Sequence, residues 1–349
     1  METKLADNLN DSFAEKRDSK VDLSIKKNET HIADCVSRWG GSASVALFDP
    51  SCQIFSTPNH DGIIGYRSES ACAVVYGDPV CSWDSMSGLV KAFHDHCDNL
   101  NLRIVYVTAS ERFANWAMKD SCGALVQFCE ELILNPQSSH ALEGAPGRKL
   151  RNKVNRSVNA GIRVHEYVED DIKIETEIEK ASFAWLKARQ GPQIYLANVH
   201  LFSMRAGKRW LYARLGDNIV GVLLLNQLNA RGGWLINLLM ATPEAPPGTS
   251  ELLVIEALKL LKNEGCQFLT LGVVPASQIG KIIGIGALST WSMRRTFKAI
   301  KWIFSLDARS KYWKKFQPKN EPSYLVFRHP HVGFREIVGV MRAMHVSVL

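Results

Sequence analysis

Three apolar, strand-like segments run into the turn Ala245-Pro246-Pro247-Gly248-Thr249, and a strongly apolar stretch with helical spacing follows at once. Proline removes a ladder donor and glycine accepts a positive φ, so a sheet must end and a helix begin within those few residues. Strands are predicted over residues 210–215, 219–228 and 233–240, the first two joined by the tight turn Gly216-Asp217-Asn218. The helix is predicted over 250–264, stopped by Gly265, with a further strand over 268–274. The first N–H groups of such a helix, backed by its dipole, suit a phosphate or a developing oxyanion. A simple tight turn with a helix cap explains the same residues equally well.

The first half of the chain reads as an α/β unit of its own. A short helix is predicted over 30–39 and strands over 45–48, 62–67 and 71–76, with Gly77-Asp78-Pro79 as a turn. Met86, Leu89, Val90 and Phe93 recur at helical spacing within 85–99, and 102–108 is β-branched like a buried strand. Ser110 is placed to cap a helix running to residue 118, and 124–134 supplies another strand. The Ser-, Pro- and Gly-rich loop 135–147 then leads into a basic helix ending at Gly161, and a helix over 172–186 follows.

A chain of 349 residues exceeds the usual single domain, and this order divides it. The division is a flexible tail over 1–30, a first domain over 31–147, a basic linker helix over 148–163, a second domain over 164–328 and a C-terminal segment over 329–349. With 46% hydrophobic and 22% charged residues, neither wholesale disorder nor a fibrous architecture fits. The eight cysteines include no CxxC pair and read as reduced thiols. The N-terminal residues lack a signal peptide's apolar core, and no apolar run reaches the roughly 20 residues that span a bilayer. The expected location is the cytoplasm, with any membrane contact peripheral, at the inner face.

The net charge of +7 is concentrated in two places. Five cations and no acid lie between Arg148 and Arg156, and nine Lys or Arg against the single Asp307 lie between Trp291 and Asn320. On a helix Lys149, Lys153 and Arg156 form one stripe, beside a second row containing Arg148, Arg151, Asn152 and Asn155. Such rows serve repeated phosphate contacts or stand as a solvated face. In the second cluster Arg294, Arg295, Lys314 and Lys315 alternate with Trp291, Trp302, Tyr312, Trp313 and Phe316, a mixture suited to tRNA or an anionic membrane. An amphipathic helix with its rings in the core is the plainer alternative.

Several strings occur in an informative order: Gly65-Tyr66-Arg67, YGDPV at 76–80, RKLRNKVNR at 148–156, APPGTSELL at 245–253, TLGVVP at 270–275 and KYWKKFQPKNEPSYL at 311–325. The element order is similar to the GNAT acyltransferase architecture. Together the strings resemble the catalytic domain of the lysylphosphatidylglycerol synthases and related aminoacyl-tRNA-dependent lipid aminoacyltransferases, over about residues 31–328. The resemblance implies an α/β fold of two tandem GNAT-like mixed-sheet domains packed together. It also implies transfer of an amino acid from aminoacyl-tRNA to a lipid hydroxyl of the phosphatidylglycerol or sterol kind. Two departures stand out. The family's Asp-Leu-Met-Arg motif is matched by Asn237-Leu238-Leu239-Met240-Ala241, and its lysine three residues before the Phe of Phe-x-Pro is matched by Trp313, with Lys314 and Lys315 adjacent.

The candidate catalytic residues are therefore Asp78, Asn237, Glu251 and Lys314. The candidate substrate- or tRNA-binding residues are Arg148, Arg151, Lys153, Gly248, Thr249, Arg294, Arg295 and Lys315. Glu251 could orient an α-amino group or cap its helix, and Asp78 could accept a proton or shape a turn. His94, His96 and Cys97 do not share a helix face with a fourth ligand, so no metal is expected, and no cofactor. The glycines of residues 280–286 lack a P-loop ending. Two further readings remain open: transfer from an acyl-CoA, or a degenerate module that binds lipid or tRNA without turnover.

Overall fold

The computed structural model describes residues 29–139, 141–168, 171–188, 201–202, 205–286, 290, 294–295 and 307–344. Almost all of the expected tail and much of the basic aromatic segment, including Trp291, Trp302 and Phe304, lie outside the described residues. No helix among those described is long and apolar enough to cross a membrane.

Helix α1 (29–39) leads into a 3-10 turn over Ser42–Phe48. Residues 45–48, expected as a strand, belong to that turn. The Gly41 N–H donates to Ser44 Oγ at 2.9 Å and winds the chain, so the first strand starts only at β1 (Gln53–Thr57). Strands β1, β2 (His60–Glu69) and β3 (Cys72–Tyr76) pair antiparallel, and the short β4 (Val80–Cys81) also pairs with β2. Helix α2 (Met86–Asn99) crosses to β5 (Arg103–Ser110), which lies parallel to β3. Helix α3 (Glu111–Asp120) starts as expected at Ser110, whose hydroxyl accepts from the Phe113 N–H at 3.2 Å, and β6 (Ala124–Leu134) follows.

Helix α4 (Gly144–Asn159) is the basic helix; it stops before Gly161, whose φ of 92° an L side chain rarely adopts. Strand β7 (Arg163–Glu166) and helix α5 (Ile172–Ala188) follow, then the antiparallel strands β8 (Lys208–Leu215), β9 (Asn218–Leu228) and β10 (Gly233–Ala241). Helix α6 (Thr249–Asn263) carries the chain to β11 (Phe268–Pro275), parallel to β10. The chain then passes through β12 (Ile282–Ile283), helix α7 (Asp307–Lys314), β13 (Lys319–Phe327) and helix α8 (Phe334–Ala343).

The main path of the sheet runs β1-β2-β3-β5-β13-β6-β11-β10-β9-β8-β7, a mixed α/β, tandem GNAT-like arrangement. The order β3–α2–β5–α3–β6 recurs as β10–α6–β11–α7–β13. The two closing strands are traded: β13 lies between β5 and β6, while β6 borders β11. Helices α4 and α6 cover one face of the second half, where Leu150, Leu223, Leu225, Leu253 and Leu261 are buried together. Removing a leucine from such a core costs about 2–5 kcal/mol. Helix α5 covers the other face, with Ile178 and Ala181 against Trp210, Val222, Leu224 and Met240. The alternation along β9 sends Val222 and Leu224 to one side and Leu223 and Leu225 to the other, as a strand buried on both faces requires.

Candidate functional site

Strands β10 and β11 stay paired only from Gly233–Phe268 to Leu235–Thr270. Beyond that point β10 bulges between Ile236 and Leu238. Asn237 is the extra residue, and a bulge re-aims its side chain. The parallel strands thus part toward their C-terminal ends, where α/β sheets place ligands. The turn expected from the sequence connects β10 to α6 at this mouth.

The turn is locked onto α4. Gly248 sits at φ 101°, and a Cβ there would lie 2.1 Å from the Lys153 carbonyl oxygen, so only glycine fits. Thr249 donates from Oγ1 to the Pro246 carbonyl at 2.7 Å and lies 3.4 Å from Ser157 Oγ of α4. Thr249 and Glu251 are both buried, at 1% and 4% exposure.

Glu251 gathers the expected basic residues. Its Oε1 accepts from Lys153 Nζ of α4 at 2.9 Å and from Lys315 Nζ, just beyond α7, at 2.5 Å. Burial alone would raise the Glu251 pKa, but the two ammonium groups outweigh it and hold the carboxyl below its ordinary value. Lys315 is pulled the other way. Its burial, more than the carboxylate beside it, sets the direction, and its pKa is lowered. Lys315 Nζ also lies 3.4 Å from the centre of the Tyr312 ring, a cation–π contact. Three sequence-distant segments therefore meet at one carboxylate, with one negative charge facing two positive ones.

The other expected residues are spread more widely. Lys314 is exposed and outside this cluster, as are Arg148 and Lys149 on the open face of α4. Arg151 turns back on its own helix entry, its guanidinium donating to the Leu142 carbonyl and to the Gly144 carbonyl at 3.0 Å. Arg294 donates to the Ile279 carbonyl at 3.0 Å, anchoring the glycine-containing loop, and Arg295 is exposed. Trp313 and Phe316 are core residues.

Asp78 belongs to a separate polar group at the traded strands. Its carboxyl accepts from the Ser110 N–H at 2.8 Å and Ser110 Oγ at 2.6 Å, and burial raises its pKa. Glu131 and Arg231 are near enough to act on it electrostatically, and Glu131 itself accepts from Thr270 Oγ1 at 2.8 Å. Glu131 and Arg231 carry no signal in the sequence because each stands alone in an ordinary strand or turn, whereas Thr270 opens the string TLGVVP. His94, buried in the first half, bonds the Tyr106 hydroxyl at 3.1 Å, while His96 faces Tyr66.

The fold and this cluster define a tandem GNAT-like α/β protein with a splayed strand pair at the head of a helix. A family model described as phosphatidylglycerol lysyltransferase, C-terminal, matches residues 38–327, and the chain belongs to that family. It is 20% identical to the phosphatidylglycerol lysyltransferase of Staphylococcus aureus strain COL over 93% of its own length and 38% of the relative's. The Staphylococcus epidermidis protein of the same name is 22% identical, over 88% of this chain and 37% of the relative. The chain thus spans well under half of those relatives. Among solved structures, L-PGS from Bacillus licheniformis superposes with a TM-score of 0.75 at 17% identity, covering 91% of this chain and 96% of that one. A C-terminal domain from Agrobacterium fabrum, titled as that of a lysylphosphatidylglycerol synthetase, gives 0.73 at 16% identity over the same shares. At such identities the likeness is one of fold.

Proposed function

We propose that this chain transfers an amino acid from aminoacyl-tRNA to a lipid hydroxyl, of the phosphatidylglycerol or sterol kind. The observation that carries the reading is the Lys153–Glu251–Lys315 cluster at the head of α6, beside the opening between β10 and β11. The names of the relatives support the lysyl and lipid parts of it.

In this reading the acceptor hydroxyl oxygen attacks the ester carbonyl of the aminoacyl group. The carbonyl oxygen takes up negative charge, which the positive end of the α6 dipole and the Lys315 ammonium stabilise. The C–O bond to the tRNA ribose then breaks, and the proton from the acceptor hydroxyl ends on the departing ribose oxygen. Glu251 keeps Lys153 and Lys315 in position and offers a carboxylate to an α-amino group. Gly248 and Thr249 hold the turn against α4. Arg148, Arg294, Arg295 and Lys314 serve tRNA phosphates, with Arg151 fixing the helix that bears the first of these. Asn237 faces the reacting groups from its bulge, and Asp78 acts from the first half. The reaction takes place in the cytoplasm, at the inner face of a membrane.

Incubation with total radiolabelled aminoacyl-tRNA and a lipid extract tests this directly. An organic-soluble, RNase-sensitive product is expected, and its absence with every amino acid and lipid class overturns the reading. Binding without turnover is the second reading, favoured by Asn237 standing where the family's motif has an acid. Saturable binding of tRNA or lipid with no product would select it.

A further inference from the structure

Two carboxylates near the traded strands have no cation against them. Asp78 takes one donor on each oxygen, from the Ser110 N–H at 2.8 Å and Ser110 Oγ at 2.6 Å, and Glu131 takes Thr270 Oγ1 at 2.8 Å on Oε1 alone. Among the described residues neither carboxylate forms an ion pair. Arg231 and Lys319 are directed at Glu321 instead, at 3.8 Å and 3.3 Å. Burial, with the Glu131 charge added to it, raises the Asp78 pKa, as expected of a carboxylate that lacks a counter-ion.

The strand register brings both acids to one patch. Ser110 pairs with Ser323 across β5 and β13, and Ser323 pairs with Cys129 across β13 and β6. Directly paired side chains share a face, and Glu131 follows Cys129 by two residues on that face. Leu132 and Leu134, which alternate with Glu131, pack beneath α4 and α6, so the patch lies on the face of the sheet opposite the Glu251 cluster. Thr270, the donor to Glu131, pairs with Leu235 in the last contact before β10 and β11 part, which sets the patch beside the opening. Between the two acids Ser323 is 3% exposed, and its hydroxyl has no partner. A buried hydroxyl left unpartnered costs stability, and native structures keep few of them. Asp78, Ser110 and Glu131 are only partly covered, so the patch is open to a ligand. No group of three His, Cys, Asp or Glu side chains among the described residues could hold a metal ion, which leaves a cation that brings its own hydrogen-bond donors.

We propose that Asp78, Glu131 and Ser323 bind an alkylammonium group, either the α-ammonium of the aminoacyl donor or a cationic side chain on it. Such a group carries three N–H donors, and Asp78, Glu131 Oε2 and Ser323 Oγ offer three acceptors, two of them on unpaired carboxylates. A donor whose ester carbonyl lies at the head of α6 would reach the patch through the opening between β10 and β11. The inference rests on the transfer reading only for the identity of the molecule that carries the ammonium.

Ligand-observed NMR on the full chain tests this without tRNA or lipid, using three small amides. Alaninamide carries only the α-ammonium, Nα-acetyl-lysinamide only a side-chain ammonium, and Nα-acetyl-alaninamide neither. At least one of the two cationic probes should bind, which assigns the source of the ammonium, and the neutral one should not. Glu131→Gln and Asp78→Asn should each weaken that binding about tenfold or more. Ser323→Ala should weaken it about threefold or more while leaving Tm unchanged or raised, because it removes a hydroxyl that has no partner in the protein. Lys91→Gln, on an exposed position of α2, should bind as the wild type does. Circular dichroism verifies folding, and if Asp78→Asn does not fold, Glu131→Gln decides. Equal binding of the neutral amide, no binding of either cationic probe up to about 50 mM, or unchanged binding by folded Glu131→Gln overturns the proposal. Cation-selective binding that Glu131→Gln loses, with no transfer product from any form, leaves the ammonium site standing while the transfer reading fails. Transfer by Glu131→Gln with wild-type KM does the reverse.

Discussion

Gly248 and Lys153 are packed so closely that the glycine α-carbon faces the lysine carbonyl with no room for a methyl group between them. The contact joins the head of α6 to the middle of α4, and the Lys153 side chain then reaches past it to Glu251. Replacing Gly248 with alanine imposes a left-handed backbone on an L residue and drives its Cβ into that carbonyl. Gly248→Ala should destabilise the fold by about 3 kcal/mol, measured by urea denaturation, and should abolish transfer in whatever protein remains folded. Wild-type stability would show that α4 moves aside freely.

Glu251→Gln leaves two ammonium groups facing one another around a neutral amide. Because Lys153 is half-exposed, the cost is moderate, about 1–3 kcal/mol at neutral pH. The pH dependence has a definite sign. The folded Glu251 pKa is lowered, so its contribution is present above the ordinary carboxylate value and is lost as pH falls through the folded value. The gap between wild type and Glu251→Gln should therefore narrow in acid, and a gap independent of pH would contradict the ion-pair account.

His94 supplies a second pH effect, in the first half. Burial lowers its pKa from 6.5 to about 4. The folded chain holds the ring neutral while the unfolded chain protonates it, so stability is complete above pH 6.5 and falls as pH drops toward 4. The loss from this group amounts to about 3 kcal/mol. His94→Gln should flatten that part of the stability profile, and an unchanged slope would place the effect elsewhere.

Tyr76 donates its hydroxyl to the Ala343 carbonyl at 2.7 Å, and Arg67 donates to the same oxygen at 3.3 Å. Together they hold the C-terminal end of α8 against the first half. Tyr76→Phe should cost about 1 kcal/mol, readable as a lowered Tm, and should speed amide exchange in α8 before exchange elsewhere. Uniform exchange throughout the chain would argue against a local anchor.

Helices and strands with strong periodicity were legible from the residues alone. β6 was expected over 124–134 and α2 over 85–99, and both lie there, because their apolar positions repeat with one period and their ends carry turn residues. β13 was not legible. It opens with charged residues and contains Pro322, and its partners in β6 and β5 lie about 190 to 220 residues earlier, information that no local pattern carries. The early strand expected at 45–48 failed for the opposite reason: a single Val in a short apolar run says little, and Ser44 closed a turn instead. At the site, the turn and its helix were visible, as were Lys153 and Lys315 as cations. Their shared attachment to Glu251 depends on how three distant segments pack, which composition and spacing do not encode.

The traded strands also set an order on the making of the protein. As the chain emerges from its N-terminus, β5 and β6 are finished early, yet the slot between them belongs to residues 319–327. Until those residues appear, both strands present unpaired edges, and the alternative of closing on each other would have to be undone. The first half must therefore wait, for more than half the length of the chain, for the strand that completes it.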